Sequence, residues 1–149
     1  MSPVPEIDYN FCGYKLRVAR SRIHRWGVYT EEPIPRGRKV IQYTGELISR
    51  RETKRRASER PLNYLFTLDK YWTIDGSVGG SGAQFINHSC EPNLVSRVAK
   101  GRINYYARRD IRKGEELTVD YHFAADVEKV PCACGSPGCR GTINLLKEY

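Results

Sequence analysis

The stretch FINHSCEPN, Phe85 to Asn93, places an amide, an imidazole and a thiol within four residues, Asn87 to Cys90. A second group of thiols, Cys132, Cys134 and Cys139, falls in CACGSPGC near the C-terminal end, interrupted by Gly135, Pro137 and Gly138. Glycines let a chain curl so that several sulfurs face one point. Zinc takes four ligands in a tetrahedron, and four cysteines are a common structural set. Three of the thiols are local, so the fourth ligand must come from elsewhere. The candidates are Cys90 and Cys12, with His88 able to replace a thiol. A redox pair is the competing chemistry, which a C-x-C with a distant third cysteine suits poorly. A closed four-sulfur shell leaves no open position for a substrate, so such a clasp is structural.

The chain has 149 residues, 40% hydrophobic and 28% charged, which suits one soluble globular domain with its own core. No apolar run approaches the ~20 residues that span a bilayer. The opening MSPVPEIDYN carries no apolar signal-peptide core, so nothing suggests secretion. Disulfides are then not expected, and five cysteines in a reducing compartment point to metal or catalysis. The formal net charge of +8 favours acidic partners such as nucleic acid, or a complex containing it; solubility alone accounts for it equally well.

Strand-like alternation dominates the chain. KLRVAR places Leu16 and Val18 on one face, and RKVIQYTG, NYLFTL, YWTID, RINYYAR and LTVDYHF read the same way. Short strands split by Gly and Pro turns predict a β-rich fold of small sheets. One helix is expected in SRRETKRRASERP, with Ser49 as cap, Glu52 three residues on and Pro61 as terminator. Arg50, Arg51, Lys54, Arg55, Arg56 and Arg60 make it basic and leave almost no apolar stripe. It belongs on the surface, either as a solvated face or as a patch for phosphate or an acidic partner. IPRGRKV (34–40) and IRKGEEL (111–117) echo one another as a glycine turn feeding a strand; one pair is too little for a duplication.

FINHSC, then GEELTVDY (114–121), then CACGSPGC form an ordered set that resembles the SET-domain family of protein lysine methyltransferases with its post-SET zinc module. SRIHRWGVYT, IQYTGELIS and NYLFTLDKYWTID resemble further family motifs, in the family's order, so the resemblance covers nearly the whole chain. It implies a β-clip of small curved sheets, one or two short helices, and a pseudoknot joining the FINHSC and ELTVDY segments. It also implies a C-terminal zinc-binding tail. The corresponding division is 1–13 as N-terminal extension, 14–125 as SET domain and 126–149 as post-SET segment. Two motifs depart from the family pattern. A usual glycine-x-glycine is Arg25-Trp26-Gly27, where a side chain would crowd the cofactor if φ > 0 is required. GGSGAQ, with Ser81 and Gln84, stands where asparagine and arginine are usual; a cysteine-rich pre-SET module is absent.

The resemblance implies transfer of a methyl group from S-adenosylmethionine to a lysine amine, with cofactor and peptide entering from opposite faces of a channel. Tyr121 takes the central catalytic position and Tyr64 that of a channel tyrosine. His24, Arg25, Trp26, Tyr64, Asn87, His88 and Tyr121 are the implied cofactor-binding residues. Cys90, Cys132, Cys134 and Cys139 are the implied ligands of one structural Zn2+. Cys12 is left as a small apolar residue, and Ile143 and Leu145 are candidates for an apolar lid. Val119, where many relatives carry Phe or Tyr, leaves room for di- or trimethyllysine. The implied partner is a protein tail with an acceptor lysine, a histone by family default. Glu115, Glu116 and Asp126 are candidates for docking it, and helix 49–60 is a candidate for nucleic acid contact. No membrane association is expected. The implied location is intracellular: on chromatin in a nucleus, or the cytoplasm of a prokaryote. The alternative is a catalytically silent, zinc-containing SET-like module that binds chromatin or nucleic acid.

Overall fold

Leu16 and Val18 turn inward while Arg17 faces solvent, the alternation that a half-buried strand requires. The computed structural model describes residues 4–59, 64–121 and 131–142. Its strands are β1 (Leu16–Arg20), β2 (Trp26–Thr30), β3 (Lys39–Tyr43), β4 (Glu46–Ser49), β5 (Leu65–Thr67), β6 (Trp72–Asp75), β7 (Asn87–His88), β8 (Leu94–Ala99), β9 (Arg102–Ala107) and β10 (Glu116–Val119). Helix α1 (Arg50–Glu59) lies between β4 and β5. The strands form three small sheets, ordered β1-β2-β10-β7, β3-β9-β8 and β4-β6-β5. The expected mainly β fold of small sheets is therefore the fold observed. The sheets share one core, in which Val28, Ile34, Val40, Ile41, Ile103, Ile111 and Leu117 are fully buried. Burying side chains of this size supplies roughly 1.5–3 kcal/mol each.

One pairing breaks the antiparallel rule. β7 runs parallel to β10, with Asn87 opposite Thr118 and Val119 opposite His88. This brings the FINHSC and ELTVDY segments side by side, as the implied pseudoknot requires. Asn93 stitches the same two segments. Its Oδ1 accepts the Thr118 N–H at 2.8 Å, and its Nδ2 donates to the Glu116 carbonyl at 2.9 Å. A side-chain amide thus stands in for a missing strand.

The two echoing segments meet directly. Ile34 and Ile111 exchange backbone hydrogen bonds at 2.9 and 2.8 Å, and each is followed by a glycine at positive φ, Gly37 at 87° and Gly114 at 91°. Glycine adopts that conformation without a Cβ penalty. The repeat in the sequence is a repeat in space: two equivalent turns back to back.

The helix begins as expected. Ser49 Oγ accepts the Glu52 N–H at 3.2 Å. The Glu52 carboxylate turns instead to Arg55 and Arg56. None of the helix's residues is buried. Its anchor is Arg56, whose guanidinium lies 2.6 Å from Glu46 and 2.8 Å from the fully buried Asp75. Arg55 pairs with Glu52 and Glu59, so Arg50, Arg51 and Lys54 remain as the exposed cations on the helix outside these ion pairs. The expected roles of Arg60 and Pro61 lie outside the described residues.

Candidate functional site

A cleft of about 680 Å³ opens where the three sheets converge. Its floor and walls include His24, Arg25, Trp26, Tyr64, Asn87 and Tyr121, six of the seven residues expected to bind cofactor. They reach it from four separate stretches of chain, which explains why no local pattern outlines the cleft. Val119 lines it as well.

Asn87 is 5% exposed and organises the entrance. Its Nδ2 donates toward the Trp26 carbonyl at 2.9 Å, the His24 carbonyl at 3.3 Å and Glu116 Oε2 at 2.9 Å. The Glu116 carboxylate also accepts from Ser21 Oγ at 2.8 Å. Gly27 makes this arrangement possible, because a Cβ there would overlap the Glu116 carboxylate. Glu116 is therefore an internal strut and not a docking residue. Arg25 holds φ at 30°, in the left-handed region that disfavours a Cβ. The strained position that glycine usually fills is thus real, and an arginine occupies it. Gln84 also lines the cleft, where its Oε1 accepts the Gly82 N–H at 2.8 Å.

Tyr121 has left the β10 ladder. Although 39% of the residue is exposed, its phenol is buried in the cleft and donates to the Ile86 carbonyl at 2.8 Å. Burial, and then the neighbouring Tyr64, push its ionisation above the ordinary tyrosine range. It is a protonated phenol at neutral pH, donating its proton to the Ile86 carbonyl at the edge of the cleft.

His88 is the one of the seven that does not line the cleft. It is 2% exposed and lies behind Tyr121. Its Nδ1 accepts the Tyr121 N–H at 3.1 Å, and its Nε2 is 3.5 Å from Cys90 Sγ. Its ring therefore positions Tyr121. Beside it, Asp120 takes a bidentate ion pair from Arg140 at 2.9 and 3.2 Å.

Cys90, Cys132, Cys134 and Cys139 converge, with all four sulfurs within 4.8 Å of one another. A tetrahedral ion with ~2.3 Å bonds to sulfur needs S···S separations of about 3.8 Å, and Cys90 and Cys132 are 3.8 Å apart. Backbone N–H groups of Arg140 and Gly141 point at Cys90 and Cys139 at 3.3 and 3.4 Å, orienting the sulfurs. Cys134 is drawn down to about 5: burial opposes the thiolate, but hydrogen bonds from the Cys90 backbone and from Ser136 outweigh it. The donor set fits a thiolate-bound metal ion. Cys12 stays outside it, half-buried against the core with its Sγ on the Tyr14 carbonyl at 3.1 Å.

Sequence reasoning missed several cleft residues. Tyr43, Phe66, Phe85, Ser96 and Tyr105 all line it. The Tyr43 hydroxyl donates to the Tyr64 carbonyl, and Tyr43 packs 5.2 Å from Phe66 and 6.2 Å from Tyr105. The signal was available: Tyr43 lies in IQYTGE, one of the quoted motifs. Ile143, Leu145, Asp126 and His122 lie outside the described residues. Glu115 is paired with Arg109 at 2.9 Å.

The SET-domain family profile matches residues 25–122. The chain is 42% identical over 139 residues to histone-lysine N-methyltransferase SETD1 of Drosophila melanogaster, covering 87% of this chain and 8% of that protein. It is 41% identical over 139 residues to the H3 lysine-4 specific histone-lysine N-methyltransferase of Schizosaccharomyces pombe, covering 87% of this chain and 15% of that protein. It is 41% identical over 138 residues to histone-lysine N-methyltransferase set-2 of Caenorhabditis elegans, covering 9% of that protein. The chain thus spans a small fraction of the length of the curated relatives it matches.

Proposed function

Because the chain belongs to the SET-domain family, we propose that it is an S-adenosylmethionine-dependent protein lysine N-methyltransferase. The proposed substrate is lysine 4 of histone H3, on nuclear chromatin. The relatives' names support the substrate. The observation that carries the chemistry is Tyr121, a protonated phenol held at the floor of an aromatic cleft by Ile86 and His88.

S-Adenosylmethionine supplies a methyl group on a sulfonium; in the displacement the carbon–sulfur bond breaks, a nitrogen–carbon bond forms and sulfur keeps the electron pair. His24, Arg25, Trp26 and Asn87 would hold it at one end of the cleft, with Asn87 contributing backbone because its side-chain amide is committed. A lysine amine has a solution pKa of about 10.4 and must lose a proton to attack. Tyr43, Tyr64, Phe66 and Phe85 surround the cleft and disfavour an ammonium there. Tyr121 is too weak an acid to act as a base at neutral pH, so its role is to accept a hydrogen bond from the amine and fix its line of attack. Val119, buried beside it, leaves room for amines that already carry methyl groups. Cys90, Cys132, Cys134 and Cys139 would hold one structural Zn2+, tying the tail to the segment that carries His88.

Recombinant histone H3 with labelled S-adenosylmethionine tests the reading. Label on H3 at lysine 4 is expected. Retained cofactor binding without transfer to any histone would favour the silent-module alternative.

A further inference from the structure

The chain's surplus of positive charge sits in one place. Residues 34–43 and 94–115, which form β3, β8, β9 and the turns at their ends, hold ten of the 25 Lys and Arg and two of the 17 Asp and Glu. Their surplus of eight cations equals the formal net charge of the whole chain, +8, so the rest of the molecule is balanced. All ten cations are exposed. Both acids are spent locally: Asp110 accepts the Arg36 N–H at 2.9 Å, and Glu115 pairs with Arg109 at 2.9 Å. The other nine cations have no ion-pair partner among the described residues.

The strands decide which way this charge points. β9 turns Ile103, Tyr105 and Ala107 inward, so Arg102, Asn104 and Tyr106 stand on the opposite face. Lys39 on β3 pairs with Tyr106, and Arg97 on β8 pairs with Asn104, so both share that outer face. The Arg97 guanidinium lies 4.9 Å over the Tyr106 ring, which holds its fork ready for a phosphate. Lys100 extends the face at the β8–β9 turn. At the other end the Ile34–Ile111 bridge holds the two equivalent turns back to back, and these carry Arg36, Arg38, Arg112 and Lys113. Ser96 and Tyr105 line the cleft from the inner face of the same sheet, so the charge lies behind the cleft.

A partner for this face carries dense negative charge and asks for little apolar contact. Protein interfaces have apolar centres depleted in charge, whereas DNA interfaces are polar and strongly positive. Here the centre is Lys39, Arg97, Arg102 and Asn104. Single-stranded nucleic acid needs rings on which its bases stack, and Tyr106 is already covered by Arg97. Helix α1 is the weaker candidate: outside its ion pairs it exposes Arg50, Arg51 and Lys54, and Arg50 lines the cleft. We propose that the outer face of the β3-β9-β8 sheet, with its end turns, docks double-stranded DNA through the phosphates and without reading sequence. A six-residue strand such as β9 runs about 20 Å. Over that length a duplex carries about 12 phosphates, roughly half of them on the side facing the protein. The cleft on the inner face stays open meanwhile.

Fluorescence anisotropy with a labelled duplex of about 20 base pairs and arbitrary sequence tests this. No methyl transfer enters the measurement, so its outcome is separate from that of the proposed function. About six phosphate contacts predict that affinity falls about 10³-fold between 50 and 200 mM salt. Lys39→Gln/Arg97→Gln/Arg102→Gln should weaken binding about ten-fold or more at equal salt. It should also make the slope of log K against log[salt] shallower by about three, one for each cation. Arg36→Gln/Arg38→Gln/Arg112→Gln should do the same from the other end of the surface. The exchanged side chains are exposed and outside ion pairs, so thermal midpoints should hold; if one variant unfolds, the other decides. Arg51→Gln/Lys54→Gln on α1 should bind as the unaltered protein does. Absence of duplex binding at low salt, sheet variants that bind as the unaltered protein does, or a loss confined to the α1 variant overturns the inference. Tighter binding of the single strand overturns it too, as does full displacement of the duplex by an acidic peptide of equal charge, which would make the surface a protein-docking site.

Discussion

Two walls of the cleft are built in opposite ways. The wall that carries Asn87, His88, Val119 and Tyr121 is a parallel strand pair stitched by Asn93, strutted by Glu116 and tied to a four-sulfur clasp through Cys90. The wall formed by α1, which contributes Arg50, buries no residue and is anchored by one guanidinium among Glu46, Glu52 and Asp75. On the proposed methyltransferase function, the difference follows from what each wall would do. Displacement at a methyl carbon needs nucleophile, carbon and leaving sulfur held nearly in line, and an error of about 1 Å can cost 10²-fold. Residues that fix that line need buried, redundant hydrogen bonds. A wall that carries none of the aligning residues does not.

Stripping the metal tests the rigid wall hardest, since structural zinc binds with roughly 10–16 kcal/mol in small zinc domains. One zinc per chain is expected by metal analysis. A chelator should abolish methyl transfer while far-UV circular dichroism keeps the β signal of the core; zero or two zinc ions per chain would undo the ligand assignment. Asn87→Ala should come next. It leaves buried acceptors unpaired on Trp26 and Glu116 and should cost about 2–3 kcal/mol by urea unfolding, together with cofactor binding. On the opposite wall, Glu46→Gln, which loosens one of the three carboxylates around Arg56 and leaves the buried Asp75 paired, should lower the unfolding midpoint less than Asn87→Ala does. It should speed tryptic cleavage within α1 and raise KM for histone H3 more than it lowers kcat. If both variants damage kcat alike, the contrast between the walls is wrong.

The smallest effect belongs to a charge pair outside both walls. A hydrogen bond from Arg109, and another from the Arg112 N–H, hold the Glu115 carboxyl below the usual range. A lowered folded value means that its contribution is present above the ordinary carboxylate pKa and is lost as pH falls through the folded one. The pair is half exposed, so screening limits it to about 0.5 kcal/mol. Glu115→Gln should flatten the acid limb of the stability curve by no more than that and leave transfer unchanged.

The parts of this architecture that a local pattern can carry were legible in the sequence. Leu16 and Val18 announced β1, Ser49 announced the start of α1, and Cys132, Cys134 and Cys139 announced the clasp. The two-residue β7 has no periodicity to read, and the strand expected through LTVDYHF ends at Val119 because Asp120 and Tyr121 turn out to meet Arg140 and Ile86. Tyr43 and Tyr105 look like any inward aromatic on a strand. Only the convergence of the sheets shows that they face a cleft. The His88 ring accepts a backbone N–H from a segment 33 residues away, a pairing that no spacing rule predicts.

The central claim is that the Tyr121 hydroxyl aligns a lysine amine, and Tyr121→Phe tests it most directly. Transfer of labelled methyl to histone H3 should fall about 10²-fold or more, the scale of losing one preorganised polar contact at a reacting centre, with S-adenosylhomocysteine affinity held and the thermal midpoint lowered only by the loss of the Ile86 hydrogen bond. Transfer at the unaltered rate in that variant would contradict the account.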